Sequence, residues 1–164
     1  MAEQDHNIPA QSGDEAVFSI DISRYLRALR RYSWLVIALA ARRGCLDGPN
    51  LDRARLLAEL KAAVSDAELL DYLAKVERVL DAGRTAAEFA KECGWERGVS
   101  GYIYHTVPAV LFCWLRSPRD FRAAVGDVIA LGGDTDTTAA IVGALVGATA
   151  GAGAIPQKWL DGLT

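Results

Sequence analysis

The stretch SPRDFRAAVGDVIALGGDTDTTAAIVGALVGATAG, residues 117–151, decides the fold. Ser117-Pro118-Arg119-Asp120 reads as a helix start, with Ser at the cap, Pro in the first turn and an acid three residues on. The helix it opens should carry Phe121, Val125, Val128 and Ile129 into a core. That pattern stops at Gly132-Gly133. Asp134-Thr135-Asp136-Thr137 then begins an uncharged helix that runs to about Gly151. Gly143, Gly147 and Gly151 recur at four-residue spacing, so they share a face and predict close approach of another helix. Ala139 to Ile155 is apolar but shorter than the roughly 20 residues a membrane-spanning helix needs, and it follows two aspartates. It reads as a buried helix.

Working outward, helical spacing continues almost throughout. Ile103 to Leu115 is an apolar helix in which Pro108 should restrict the start or introduce a kink. Before it, Gly94 to Gly101 forms a glycine-rich loop. Ser65-Asp66-Ala67-Glu68 and Thr85-Ala86-Ala87-Glu88 both have capping-box spacing. The first should open a helix through Leu69, Leu73, Val76 and Leu80 to about Gly83, and the second a short helix ending at Gly94. Leu51 to Val64 repeats the apolar pattern. Ile22 to Arg43 does so with a basic face of Arg24, Arg27, Arg30 and Arg31, which reads as solvated, and Gly44 and Gly48-Pro49 should end it. Residues 1–15 read as an irregular N-terminal arm, and residues 16–164 as one domain. Ile155 to Leu160 closes the chain. No stretch alternates in the manner of a strand, so the expected class is all-α.

Composition narrows the function. The 164 residues are 51% hydrophobic, with a net charge of −3. Nothing here supplies the basic surplus that binding DNA phosphates requires. Cys45, Cys93 and Cys113 are odd in number and widely spaced, which fits neither a disulfide framework nor a zinc site. They read as core or near-core thiols of a cytoplasmic protein. The N-terminus has no basic segment followed by an apolar one, so no secretory signal is expected and no membrane partner is implied.

The chemistry concentrates in two loops. Asp134-Thr135-Asp136-Thr137 places two carboxylates and neighbouring hydroxyls after a Gly-Gly turn. Two readings are open from the residues alone. Asp and Thr favour helix N-caps, and acids at a helix start complement its dipole. Equally, carboxylate and hydroxyl oxygens are hard donors suited to Mg²⁺ or Ca²⁺, and the absence of an EF-hand loop favours Mg²⁺. A cap needs only one acid, and this turn has two. In the second loop, Gly98, Ser100, Gly101 and Tyr102 offer free backbone N–H groups and a ring face, and His105 stands one turn on. The alternative is an ordinary interhelical turn with a buried Tyr and a hydrogen-bonded interior His. The two loops, about two helices apart in sequence, should return to one place.

Read together, Gly98-Val99-Ser100-Gly101-Tyr102-Ile103-Tyr104-His105, Ser117-Pro118-Arg119-Asp120-Phe121, Gly132-Gly133-Asp134-Thr135-Asp136-Thr137 and Ile155-Pro156-Gln157-Lys158-Trp159-Leu160 resemble, in order and spacing, the closing third of ADP-ribosylglycohydrolases. A weaker likeness reaches back through Ser23-Arg24-Tyr25-Leu26 to about Asp14. The resemblance implies an orthogonal helical bundle, here the C-terminal half of one. It implies two Mg²⁺ (or Mn²⁺) ions, with Asp134, Asp136 and Thr137 as metal ligands and Asp134 and Asp136 as catalytic residues. It places Gly98, Ser100, Gly101, Tyr102 and His105 against the ADP-ribose. The implied reaction is metal-assisted hydrolysis of the N- or O-glycosidic bond between ADP-ribose and an acceptor, either a protein or a small conjugate. Members of the family begin with Gly-Asp-x-x-Gly and Thr-Asp-Asp segments, which supply the other half of the metal shell. Neither occurs here, nor does a Thr-His dipeptide near Gln11-Ser12. The expectation is therefore a truncated chain with a half-shell, inactive alone, partnered by a missing N-terminal half or self-associated through uncovered apolar faces. Should a second half-shell lie within the chain, Asp14 and Glu15 are the first candidates. Two other functions fit the same residues: a non-catalytic nucleotide-binding remnant, and a helical interaction module.

Overall fold

A computed structural model describes residues 34–162. The expected N-terminal arm, the basic face Arg24, Arg27, Arg30 and Arg31, and Asp14 and Glu15 lie outside the described residues. Those described are helical, in the order α1 (Trp34–Asp47), a 3-10 turn (Gly48–Asn50), α2 (Arg53–Ala63), α3 (Ala67–Asp81), α4 (Ala86–Glu92), α5 (Ile103–Arg116), α6 (Phe121–Ala130), α7 (Thr135–Ala150), a second 3-10 turn (Ala152–Ala154) and α8 (Gln157–Asp161). Among them no strand forms; the sole ladder-like feature is an isolated parallel bridge between Val99 and Gly133. The all-α expectation holds.

The apolar run of α5 explains the architecture. Every residue from Thr106 to Leu115 is buried, so this helix has no solvated face and must be covered on all sides. Helices α3, α4, α6 and α7 pack around it, and α1 packs outside on α7 and α2. Phe112 stacks on Phe89 of α4 with ring centroids 4.4 Å apart. The expected effect of Pro108 is absent at the helix start: α5 begins at Ile103 and passes through Pro108 unbroken. Burial of the turns on either side offsets the single hydrogen bond a proline removes.

Helix starts show where carboxylates prevail over hydroxyls. Thr85 and Glu88 form the expected capping box, with Thr85 Oγ1 accepting from the Glu88 N–H and Glu88 accepting from the Thr85 N–H. At the other two predicted starts the cap is displaced. Asp66, not Ser65, caps α3, accepting from the N–H groups of Glu68 and Leu69. Asp120, not Ser117, caps α6, accepting from the Ala123 N–H at 2.9 Å, while Ser117 closes α5. A carboxylate accepts more strongly than a hydroxyl and complements the helix dipole, so the helix begins at the acid.

The glycine stripe on α7 plays a different part from the one expected. A Cβ on Gly143 would meet only the Phe121 ring, Gly147 faces open space, and Gly151 ends the helix with φ +77°. Nor is α7 buried all round: Val142, Leu145, Val146 and Thr149 are covered, whereas Ala140 and Ala144 are exposed. The close approach is made instead by Gly44 of α1, a residue expected to end that helix but lying inside it. A Cβ there would stand 2.9 Å from Thr149 Oγ1 and 3.4 Å from the Trp114 indole. Thr149 Oγ1 accepts from Trp114 Nε1 at 3.0 Å and donates to the Leu145 carbonyl at 2.9 Å. One hydroxyl thereby joins α1, α5 and α7.

Cys113 is buried, Cys93 is half-buried and Cys45 is exposed, so the near-core expectation fails for Cys45. Burial pushes the Cys93 thiol up to about 12. No described helix is long and apolar enough to cross a membrane.

The tight seat of Gly44 yields a test. Gly44→Val should lower stability by about 1–3 kcal/mol, because the added methyl groups force the Thr149 and Trp114 pair apart. The measurement is a urea unfolding midpoint at unchanged slope.

Candidate functional site

The two loops singled out in the sequence are hydrogen-bonded to each other through their backbones. The Val99 N–H donates to the Gly132 carbonyl at 3.1 Å, and the Asp134 N–H donates to the Val99 carbonyl at 2.8 Å. Glycine is required on both sides. A Cβ at Gly133 would fall 2.1 Å from the Val99 oxygen, and one at Gly98 would fall 2.6 Å from the Gly133 nitrogen. Both also hold positive φ, +83° and +98°, a region side-chain-bearing residues rarely enter.

This bridge sets the start of α7 beside the start of α5. Asp134 occupies the N-cap position of α7 yet makes no side-chain cap hydrogen bond. In that turn the Thr135 N–H donates to the Gly133 carbonyl at 2.9 Å, and the Thr138 hydroxyl donates to the Asp134 carbonyl at 2.8 Å. The Asp134 carboxylate instead lies against Gly101, where a Cβ would meet its Oδ2 at 2.9 Å. It also hydrogen-bonds the Asp136 carboxyl. That contact first, and then the N–H groups of Thr137 and of Asp136 itself, hold Asp136 below the usual carboxylate range. Asp134 is half-buried, while Asp136 and Thr137 are exposed.

Around the first turn of α5 the other predicted residues gather. Ser100 Oγ lies 2.8 Å from His105 Nδ1 and accepts from the Tyr102 N–H at 3.3 Å. The Ser100 carbonyl accepts from Thr106 Oγ1 at 3.2 Å. The His105 ring is 5.1 Å from Trp95 and 5.5 Å from Tyr102, centroid to centroid. Partial burial pushes its basicity down, against a smaller opposing pull from Glu68. Burial first, and then a hydrogen bond with the Asp66 carboxylate, pushes the Tyr104 phenol up. Sequence reasoning passed over Trp95. Its indole is 4% exposed, and Nε1 has no hydrogen-bond partner. Nothing in the one-letter string marks that tryptophan as part of the His105 surroundings, since Gly94 to Gly101 reads as a loop.

The residues fit a divalent cation in part. Asp134, Asp136 and Thr137 offer hard oxygen donors on one turn, and the Asp134 carboxylate is not spent on capping. Among the described residues, however, no group of three or more His, Cys, Asp or Glu side chains assembles around any point.

The family model described as ADP-ribosylglycohydrolase matches residues 27–164. The chain belongs to the ADP-ribosylglycohydrolase family. The match begins at residue 27, so it does not extend to the weaker likeness nearer Asp14. A curated relative, the protein named ADP-ribosylhydrolase ARH3 from Homo sapiens, is 34% identical over 98 residues, a stretch that is 53% of this chain and 26% of the human protein. The ADP-ribosylglycohydrolase chain described here thus covers about a quarter of that relative's length. No solved structure matches it.

Two predictions follow from the geometry. Gly133→Ala should cost about 1–3 kcal/mol in backbone strain and expose the Val99 and Asp134 amides to hydrogen exchange. Gly94→Ala, which shares the positive φ but faces open space, should leave those two amides protected. The second prediction concerns pH. His105 binds its proton less readily in the folded chain than in the unfolded one. Between the ordinary histidine value and the lower folded value the unfolded state therefore binds more protons, and stability falls as pH falls through that window. An NMR titration should place the His105 midpoint below that of histidine in a short peptide.

Proposed function

We propose that this chain contributes part of a divalent-cation-dependent ADP-ribosyl-acceptor hydrolase site, centred on the turn Asp134–Thr137. The observation that carries this reading is the pair of interacting carboxyl groups at the start of α7, of which Asp134, at the N-cap position, makes no side-chain cap hydrogen bond. Such a pair is costly without a counter-charge, and a cation provides one.

Asp134, Asp136 and Thr137 would hold the ion through their oxygens. Mg²⁺ or Mn²⁺ bound there supplies Lewis acidity toward the hydroxyls of a ribose. The rest falls to the chain itself. The backbone bridge keeps Asp134 and the Gly98–Tyr102 loop at a fixed separation, so that a ligand held by the loop presents its sugar to the acids. Gly101 leaves room for the Asp134 carboxylate, and Tyr102 offers a ring face to the ligand. An ionised Asp136 orients water or a hydroxyl for attack at the anomeric carbon. The substrate class is ADP-ribose joined to a protein side chain or to a small acceptor.

Two carboxylates and a hydroxyl leave an octahedral ion mostly hydrated. Further ligands must come from outside the described residues or from another polypeptide, such as one carrying the Thr-Asp-Asp segment found in the family. Orientation of reactants can contribute about 7–11 kcal/mol to lowering a barrier, so a poorly held ion implies little turnover.

The expected result is weak Mn²⁺ binding by the chain, read by electron paramagnetic resonance, and release of ADP-ribose from ADP-ribosyl-arginine or ADP-ribosyl-serine near background. Adding a polypeptide that bears Thr-Asp-Asp should raise both. Asp136→Asn should abolish the Mn²⁺ signal while the helical circular dichroism is unchanged. Metal binding undiminished in Asp136→Asn would sink the reading.

A further inference from the structure

We propose that His105 is a positioning residue for Asp134, acting through Ser100: its neutral Nδ1 accepts a hydrogen bond from the Ser100 hydroxyl and so helps set where Gly101 lies beside the Asp134 carboxylate. The functional meaning of this device rests on the proposed role of the Asp134 turn, but the device itself is a matter of hydrogen bonds.

Ser100 is held at three points. Its Oγ accepts from the Tyr102 N–H at 3.3 Å, its carbonyl accepts from Thr106 Oγ1 at 3.2 Å, and its Oγ sits 2.8 Å from His105 Nδ1. With a lone pair already given to Tyr102, the hydroxyl has its one proton to place, and Nδ1 of a neutral imidazole is the acceptor within reach. That choice puts the ring proton on Nε2. On one side of Ser100, Val99 is locked into the bridge with Gly132 and Asp134. On the other side, a Cβ on Gly101 would stand 2.9 Å from Asp134 Oδ2, so the carboxylate occupies the space beside that glycine. Ser100 therefore links the backbone bridge at Val99 to the glycine beside Asp134.

The surroundings favour the neutral ring. His105 is flanked by Tyr72 of α3 at 6.1 Å, Trp95 of the preceding loop at 5.1 Å and Tyr102 at 5.5 Å. Glu68 at the start of α3 is the charged group that acts on it. When the ring does take a proton, Nδ1 becomes a donor. Ser100 must then turn a lone pair toward it and send its own proton elsewhere. The reversal reaches Gly101 and, across the contact, Asp134.

The test is a pH titration of the whole chain followed by NMR, which needs neither metal nor turnover. The amide resonances of Gly101, Tyr102 and Asp134 should move with the same midpoint as the His105 ring. In Ser100→Ala the ring should still titrate, but the shifts at Gly101 and Asp134 should be lost. Ser100→Thr, which keeps the hydroxyl, should restore them. Ser100 is exposed, so these variants should fold. Amides that ignore the His105 midpoint in the wild-type chain would overturn the proposal, as would shifts that persist undiminished in Ser100→Ala. If the coupling is found while Mn²⁺ fails to bind at Asp136, the relay stands and the metal reading falls; the opposite pair of results separates them the other way.

Discussion

Two peptide groups, at Val99 and Gly133, approach one another as neighbouring strands do, although the described residues otherwise form helices and turns. The contact is short, and it forbids a side chain on either flanking glycine. Its two hydrogen bonds would each be worth about 1 kcal/mol in net terms, a modest sum. Their leverage is geometric. They join the segment that leads into α5 to the segment that leads into α7, so the first turns of two long helices are placed by one backbone contact. The carboxyl pair, the Gly101 contact and the Ser100 hydrogen bonds all hang from it.

That contact also accounts for what the sequence revealed and what it hid. The all-α class was legible because apolar spacing along α3 and α5 is strong and no stretch alternates. The two loops stood out because Gly98, Gly101, Gly132 and Gly133 cluster with polar residues. Cap residues were legible only where no stronger acceptor stood nearby. At Ser65-Asp66 and Ser117-Pro118-Arg119-Asp120 a carboxylate displaces the serine, and spacing rules alone rank both. The glycines of α7 misled because a four-residue period states which residues share a face without stating what lies opposite. Gly44 was hidden for the converse reason: a glycine near a Gly-Pro pair looks like a stop, and only packing shows it as a seat.

Asp134 shows most sharply what a string of letters leaves open. Its position at the start of α7 is that of an N-cap, which is the ordinary explanation for an Asp there. The side chain is nevertheless turned away, toward Gly101 and Asp136. The helix start manages without it because the Asp136 carboxyl accepts from N–H groups of the first turn. Which of two chemically sensible roles an acid adopts depends on a neighbour brought in from 33 residues earlier in the chain, and no local pattern records that neighbour. The burial of α5 acts in the same direction. A helix covered on every side moves little, so residues on its first turn, His105 and Thr106, are dependable anchors for a loop that is itself exposed.

The hydroxyl of Thr149 carries a consequence for how such a chain can change over generations. It is shared by Trp114 and Leu145 and wedged against Gly44, so three helices meet at one oxygen. A mutation at residue 44 that adds bulk leaves no room for the threonine, and a smaller residue at 149 strands the indole N–H. Neither step is easily tolerated first. Residues 44, 114 and 149 thus constrain one another, more than a hundred positions apart in sequence and within a few ångströms in space.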